Sequence, residues 1–212
     1  MIIFKDRRSA GILLAERMHQ YKGRKDTIVF GIPRGGVVVA YEVAKALKLP
    51  LDVVITRKIS DPHQPELALG AVDPDGQVVW DSGLLEQPEL KIKNFKFKIE
   101  EEMNEIKRRE KIYRKNKEPL DVKDKVVIVV DDGIATGETM LSAVKYLKRK
   151  GAKKVVVSVP VGVSDAIARI VLEGVESVVL FPIPAEDFQP VSSYFQNFGE
   201  VEDQTVKKLL VS

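Results

Sequence analysis

VVIVVDDGIATGETM, residues Val126 to Met140, is the stretch that decides the fold. Val126 to Val130 are five consecutive β-branched residues, and Asp131 and Asp132 stop the run abruptly. A loop of small residues follows, with Gly133, Ala135, Thr136 and Gly137, and then a helical pattern from Glu138 to Lys150. A short apolar run bounded by turn signals fits a parallel strand buried on both faces. The loop would then lie at the carboxyl end of a central strand, where open α/β sheets bind ligands. Its small residues allow close backbone approach, and the start of the next helix offers free N–H groups to an anion. Paired aspartates beside such a cradle point to a ligand carrying both hydroxyls and phosphate, together with a divalent metal.

Working outward, the same strand–loop–helix grammar recurs. Thr27 to Phe30 reads as a strand, Gly31-Ile32-Pro33-Arg34-Gly35-Gly36 as a loop, Val37 to Leu47 as a helix, and Leu51 to Thr56 as the next strand. This is one βαβ unit. After the central element come a strand at Lys154 to Val159, a helix at Ser164 to Leu172 and a strand at Ser177 to Phe181. The alternation predicts an α/β, Rossmann-like, mostly parallel sheet with helices on both faces. Ser9 to Tyr21 reads as an amphipathic helix before it. Phe95, Ile99, Met103, Ile106 and Tyr113 recur at helical spacing in a charged segment that Pro119 ends. A last short helix runs from near Glu202 to Leu210.

Two stretches break the pattern. Residues 59–77 carry Pro62, Pro65, Gly70, Pro74 and Gly76, and loops of this length inside a domain are usually functional or mobile; Leu67 to Val72 and Gln77 to Trp80 read as extended stretches. Residues 182–212 begin with Pro182, Pro184 and Pro190 and hold Phe188, Tyr194, Phe195 and Phe198, which read as a small C-terminal hood. No repeat or clean linker is visible, so residues 1–212 read as one domain.

Composition narrows the function. The chain has 212 residues with 34 basic and 31 acidic, a net charge of +3, which makes no case for nucleic-acid binding. It has no cysteine, which excludes disulfides, thiolate metal sites and a cysteine nucleophile. No apolar run approaches the roughly 20 residues that span a bilayer, and the apolar segment of MIIFKDRRSAG is too short for a secretory signal. A soluble cytoplasmic protein is the expectation.

The segment Val129 to Thr139, VVDDGIATGET, resembles the phosphoribosyl-diphosphate (PRPP) signature of type I phosphoribosyltransferases: apolar residues, two acids, and a small-residue loop ending in Thr-Gly-x-Ser/Thr. The resemblance implies that Asp131 and Asp132 hold the ribose hydroxyls, and that Gly133, Ala135, Thr136, Gly137, Glu138 and Thr139 wrap the 5′-phosphate. It also implies Mg²⁺, met by Asp131 and Asp132 indirectly through PRPP and water. Pro33, Arg34, Gly35 and Gly36 resemble the pyrophosphate loop of the same enzymes, and Arg57 and Lys58 sit where a basic residue meets the diphosphate. Arg34, Arg57 and Lys58 together would neutralise a leaving pyrophosphate. No Gly-Lys-Ser/Thr occurs here, so a Walker A site is not supported.

The segment Ser60 to Gln77 occupies the place of the catalytic loop in these enzymes. Its stretch DPHQPELALGA, residues 61–71, is similar to one found in small predicted phosphoribosyltransferases of unassigned substrate, and that similarity extends over nearly the whole chain. Closure of such a loop would exclude water from the reacting centre. His63 and Glu66 are its candidate acid–base or diphosphate contacts. Glu66, Asp132, Lys58 and Arg34 are the candidate catalytic residues. One departure stands out: where hypoxanthine-type enzymes carry an aspartate that serves the purine, this chain has Ala135. The resemblance thus implies a phosphoribosyl transfer from PRPP to a small acceptor, a nucleobase by default, by a homodimer. The alternative is a regulatory module that senses PRPP or a nucleotide without turnover.

Overall fold

Val126 to Val130 do form a fully buried strand at the middle of a parallel sheet. A computed structural model describes residues 3–60, 68–81, 95–115 and 117–211. In chain order the strands are β1 (Thr27–Gly31), β2 (Leu51–Val53), β3 (Arg57–Ser60), β4 (Ala68–Val72), β5 (Val78–Trp80), β6 (Val126–Val130), β7 (Lys154–Val163) and β8 (Glu176–Ile183). The helices are α1 (Arg7–Glu16), α2 (Gly35–Leu47), α3 (Lys96–Arg114), α4 (Glu138–Arg149), α5 (Ser164–Val171) and α6 (Asp203–Leu209).

The main sheet has five strands in the order β2-β1-β6-β7-β8, and every pairing in it is parallel. The apolar run of β6 divides between its two faces. Val127 and Val129 pack with Met140, Val144 and Leu147 of α4 and Ile170 of α5. Val126, Ile128 and Val130 pack with Leu14 and Met18 from the α1 region and Val39 and Val43 of α2. Burying each such side chain is worth about 1.5–3 kcal/mol, and β6 does so on both faces. That is why the run is continuously apolar rather than alternating.

A second, antiparallel sheet, β3-β4-β5, leaves the main sheet after β2. Its turn is tied by Asp73, whose Oδ1 accepts from the N–H groups of Asp75 and Gln77 at 2.9 and 3.1 Å. The two stretches expected to be extended are strands, β4 and β5, and this tied turn joins them within the segment expected as a loop over 59–77. His63 and Glu66 lie outside the described residues. Helix α3 and Val206 of α6 close this sheet's core through Phe95, Ile106 and Tyr113 against Ile59, Leu69 and Val72.

Other boundaries move for identifiable reasons. α1 starts at Arg7, not Ser9, because Asp6 caps it: Asp6 Oδ1 accepts from Ser9 N–H at 2.8 Å and Ser9 Oγ accepts from Asp6 N–H at 3.1 Å. The strand expected at Leu51 to Thr56 keeps only Leu51–Val53 in the main sheet. α3 ends at Arg114, where Lys115 turns left-handed, ahead of Pro119. β7 runs past Pro160 to Val163. No helix among the described residues is long and apolar enough to cross a membrane.

Candidate functional site

Neighbouring strands β1 and β6 end side by side, and their loops touch. Ile32 N–H donates to the carbonyl of Val130 at 2.9 Å, which starts both loops from one point. A Cβ on Gly36 would lie 2.6 Å from Asp131 Oδ1 and 2.8 Å from Asp131 Cα. A Cβ on Gly35 would strike the Asp132 carboxylate and lie 2.9 Å from Arg7 Nε. Both positions therefore need glycine, because the acid pair occupies the space a side chain would take. The Pro33–Arg34 peptide between these elements is cis. Gly35 and Gly36 open α2 and Glu138 opens α4, so two helix starts converge on the acid pair.

The second loop is held from three sides. Ile134 N–H donates to Val161 at 3.0 Å and its carbonyl accepts from Val163 at 2.9 Å, which is what the added length of β7 provides. Thr56 Oγ1, following β2, donates to the carbonyl of Thr139 at 3.1 Å. Gly137, at φ +93°, caps α4 in the left-handed region that favours glycine. Ala135 and Thr136 are exposed at the crown of the loop. Glu138 is not: its side chain is 2% exposed and turned to Arg169 of α5, whose Nη2 donates to Glu138 Oε1 at 3.0 Å and to the Thr136 carbonyl. Burial pushes the Glu138 carboxyl up, but hydrogen bonds from Thr136 and the backbone, with Arg169, leave it below its ordinary value.

Asp131 and Asp132 carry the electrostatic tension of the site. Burial, then the charge of Asp132, holds the Asp131 carboxyl well above the usual carboxylate range. Burial also raises Asp132, and the hydrogen bond from Arg7 opposes that rise. Arg7 Nε meets Asp132 Oδ2 at 2.7 Å, with the two side chains 11% and 17% exposed. Asp131 Oδ1 accepts from the Asp132 N–H at 2.8 Å. The two carboxyls also meet each other through their side chains.

The predicted basic residues divide. Arg34 reaches out from the glycine loop to Glu200, Nη2 to Oε1 at 2.7 Å. Arg57 Nε pairs with Glu102 Oε2 of α3 at 2.7 Å. Lys58 is exposed on the same strand. The hood aromatics pack on one another: Phe195 stacks between Phe4 and Phe198 with ring centres at 5.2 and 5.0 Å, and Phe188 lies on Tyr194.

Sequence reasoning missed Arg7, Arg169 and Glu200. Only Arg7 left a local signal, the Asp6-x-x-Ser9 cap that makes it the first residue of α1. Arg169→Ala should strand the buried Glu138 carboxylate and destabilise the protein by about 1–3 kcal/mol. Thermal unfolding checks this, and Glu138→Gln in the same background should recover part of the loss.

A family model described as a phosphoribosyl transferase domain matches residues 8–173, which include both loops and the acid pair. The chain belongs to the phosphoribosyl transferase family. A Mycobacterium tuberculosis family member named "Putative phosphoribosyl transferase" is 38% identical over 210 residues, covering 99% of this chain and 47% of that protein. The chain thus spans about half the length of the curated relatives it matches. The crystal structure of TT1426 from Thermus thermophilus superposes with a TM-score of 0.79 at 37% identity, covering 99% of this phosphoribosyl transferase family chain and 98% of the other. A ribose-phosphate pyrophosphokinase of Thermococcus kodakarensis is 49% identical over 53 residues, 24% of this chain.

Proposed function

We propose that this family member is a Mg²⁺-dependent phosphoribosyltransferase: it takes the phosphoribosyl group of PRPP to an acceptor nitrogen, and pyrophosphate leaves from C1 of the ribose. The observation that carries the reading is the contact of Gly36 with Asp131. It puts hydroxyl-accepting carboxylates within one residue's width of a glycine loop whose amides and Arg34 suit a diphosphate. In this reading the carboxylates of Asp131 and Asp132 accept the ribose hydroxyls, and the amides of residues 135–139 with the Thr136 and Thr139 hydroxyls take the 5′-phosphate. Arg34 and Lys58 offset the charge that grows on the departing pyrophosphate.

The residues present fit a divalent cation. Two hard carboxylates lie side by side, both raised by burial, with Arg7 as the cation paired to them. Mg²⁺ retains several waters and substrate oxygens as ligands, so an acid pair that meets it through PRPP and water is a sufficient protein contribution. Bound there, it would offset diphosphate charge. The chain itself supplies positioning and water exclusion.

The default acceptor class is a nucleobase. Incubation with PRPP, Mg²⁺ and a panel of purines and pyrimidines should release pyrophosphate with at least one acceptor. PRPP binding with no release from any acceptor would favour a PRPP-sensing module instead.

A further inference from the structure

Three consecutive residues of the C-terminal segment reach Arg34 of the glycine loop and Arg7, the partner of Asp132. Glu200 Oε1 accepts from Arg34 Nη2 at 2.7 Å. The Gly199 carbonyl accepts from Arg7 Nη1 at 2.8 Å. The Phe198 ring lies 3.5 Å from the Arg7 guanidinium carbon, and Arg7 in turn holds Asp132.

The segment is a bridge fixed at both ends. On one side Phe195 is buried, and the N–H groups of Gln196 and Asn197 donate to the carbonyls of Phe4 and Lys5 at 2.8 and 2.9 Å. On the other, Asp203 opens α6 and accepts from Tyr113 Oη at 2.5 Å and Arg108 Nη2 at 3.1 Å, while Val206 is fully buried. Gly199 and Glu200, between these anchors, are exposed, and a Cβ on Gly199 would meet nothing within 4 Å. The centre of the bridge therefore leans on Arg7 and Arg34, the residues that flank the acid pair.

We propose that Glu200 is an internal competitor for the diphosphate: its carboxylate occupies Arg34 in the ligand-free protein and yields it when a diphosphate arrives. This rests on the PRPP reading of the two loops. Glu200 is 76% exposed and offers one carboxylate oxygen to one guanidinium nitrogen. An exposed single pair is weak. A diphosphate brings several charges and can meet Arg34 bidentately, so it wins the contest. A carboxylate left beside the bound diphosphate would be repelled, so the bridge must shift as the ligand enters. Arg7 stays, because its pair with Asp132 is largely buried. Glu200 thereby lowers PRPP affinity and couples site occupancy to the segment beside the hood.

The test pairs calorimetric titration of PRPP with Mg²⁺ and hydrogen exchange of amides 198–202, in wild type, Glu200→Gln and Glu200→Ala. Both variants should bind PRPP roughly two- to fivefold more tightly. Exchange over the segment should be faster in the ligand-free variants, and in wild type should accelerate on adding PRPP. Unchanged or weaker affinity in both variants overturns the competitor role, and weaker affinity would make Glu200 a ligand contact. If wild type binds no PRPP, the functional reading itself fails. The ligand-free exchange comparison then still decides whether Glu200 holds the bridge, and equal rates in wild type and variants reject that.

Discussion

Asp131→Asn is expected to do two opposite things: weaken PRPP binding by roughly 10- to 100-fold, the loss of a hydrogen bond to a charged acceptor, and stabilise the ligand-free protein. The second effect follows from the acid pair. Burial and the neighbouring Asp132 raise the Asp131 carboxyl well above its ordinary value, and burial raises Asp132 despite Arg7. A carboxyl that binds its proton more tightly when folded contributes stability that is fully present below its unfolded pKa of about 4 and is lost as pH rises through the folded value. At neutral pH the pair is therefore a cost that ligand binding offsets. Asparagine removes one of the two like charges, leaves the Arg7–Asp132 pair, and keeps an oxygen to accept from the Asp132 N–H. The gain should be about 1–2 kcal/mol, a rise in Tm of roughly 2–8 °C. Thermal unfolding from pH 4 to pH 8 checks it: wild type should lose more stability over that range than the variant. A variant that melts lower at pH 7 would contradict the account of the pair.

Arg114→Ala should have the largest effect on stability. Asp52 is buried in β2, and its partner Arg114 reaches it from the end of α3, Nε to Oδ1 at 2.9 Å, with the Arg114 and Asp52 side chains 10% and 7% exposed. Arg114 Nη2 also donates to the Val53 carbonyl at 2.6 Å, and Asp52 Oδ2 accepts from Leu120 N–H at 2.8 Å. The Arg114–Asp52 pair thus joins α3, β2 and the chain leading into the central strand. Truncating it leaves a buried carboxylate with backbone donors alone, a loss of about 3–5 kcal/mol and a Tm lower by roughly 6–20 °C. Adding Asp52→Ala should cost less than the sum of the two single changes, because the stranded charge is gone. A cycle in which the two changes simply add would show that the pair is not coupled. The consequence reaches the site, because β2 leads to Thr56, which fastens the carbonyl of Thr139.

How much of this was legible depends on sequence distance. Val126 to Val130 could be placed to the residue because every position faces a core and two acids end the run. The two loops could be placed because each is contiguous, with its small residues beside its charged ones. β7 was read too short because Pro160 looks like a strand stop. The strand passes through it, with Val159 and Val161 in register with Val179 and Phe181, beyond the point where pairing with β6 ends at Ser158. Within and beyond residues 59–77 the extended stretches at Leu67 to Val72 and Gln77 to Trp80 could be read despite the prolines and glycines, but their sheet could not, because its apolar positions pack on α3 further along the chain. Arg57 read as a diphosphate contact by resemblance, and its pair with Glu102 was not legible because the two are 45 residues apart. Arg7 and Asp132 are 125 residues apart, and Arg34 and Glu200 are 166 apart. Nothing local marks such pairs.

The central proposal is that the acid pair and the glycine loop make one ligand site, and a calorimetric titration of PRPP with Mg²⁺ into wild type and Asp131→Asn tests that most directly. The account predicts a saturable heat at one PRPP per chain in wild type and a curve shifted to much weaker binding in the variant. No heat and no thermal stabilisation in wild type, or equal affinity in the two proteins, would contradict it.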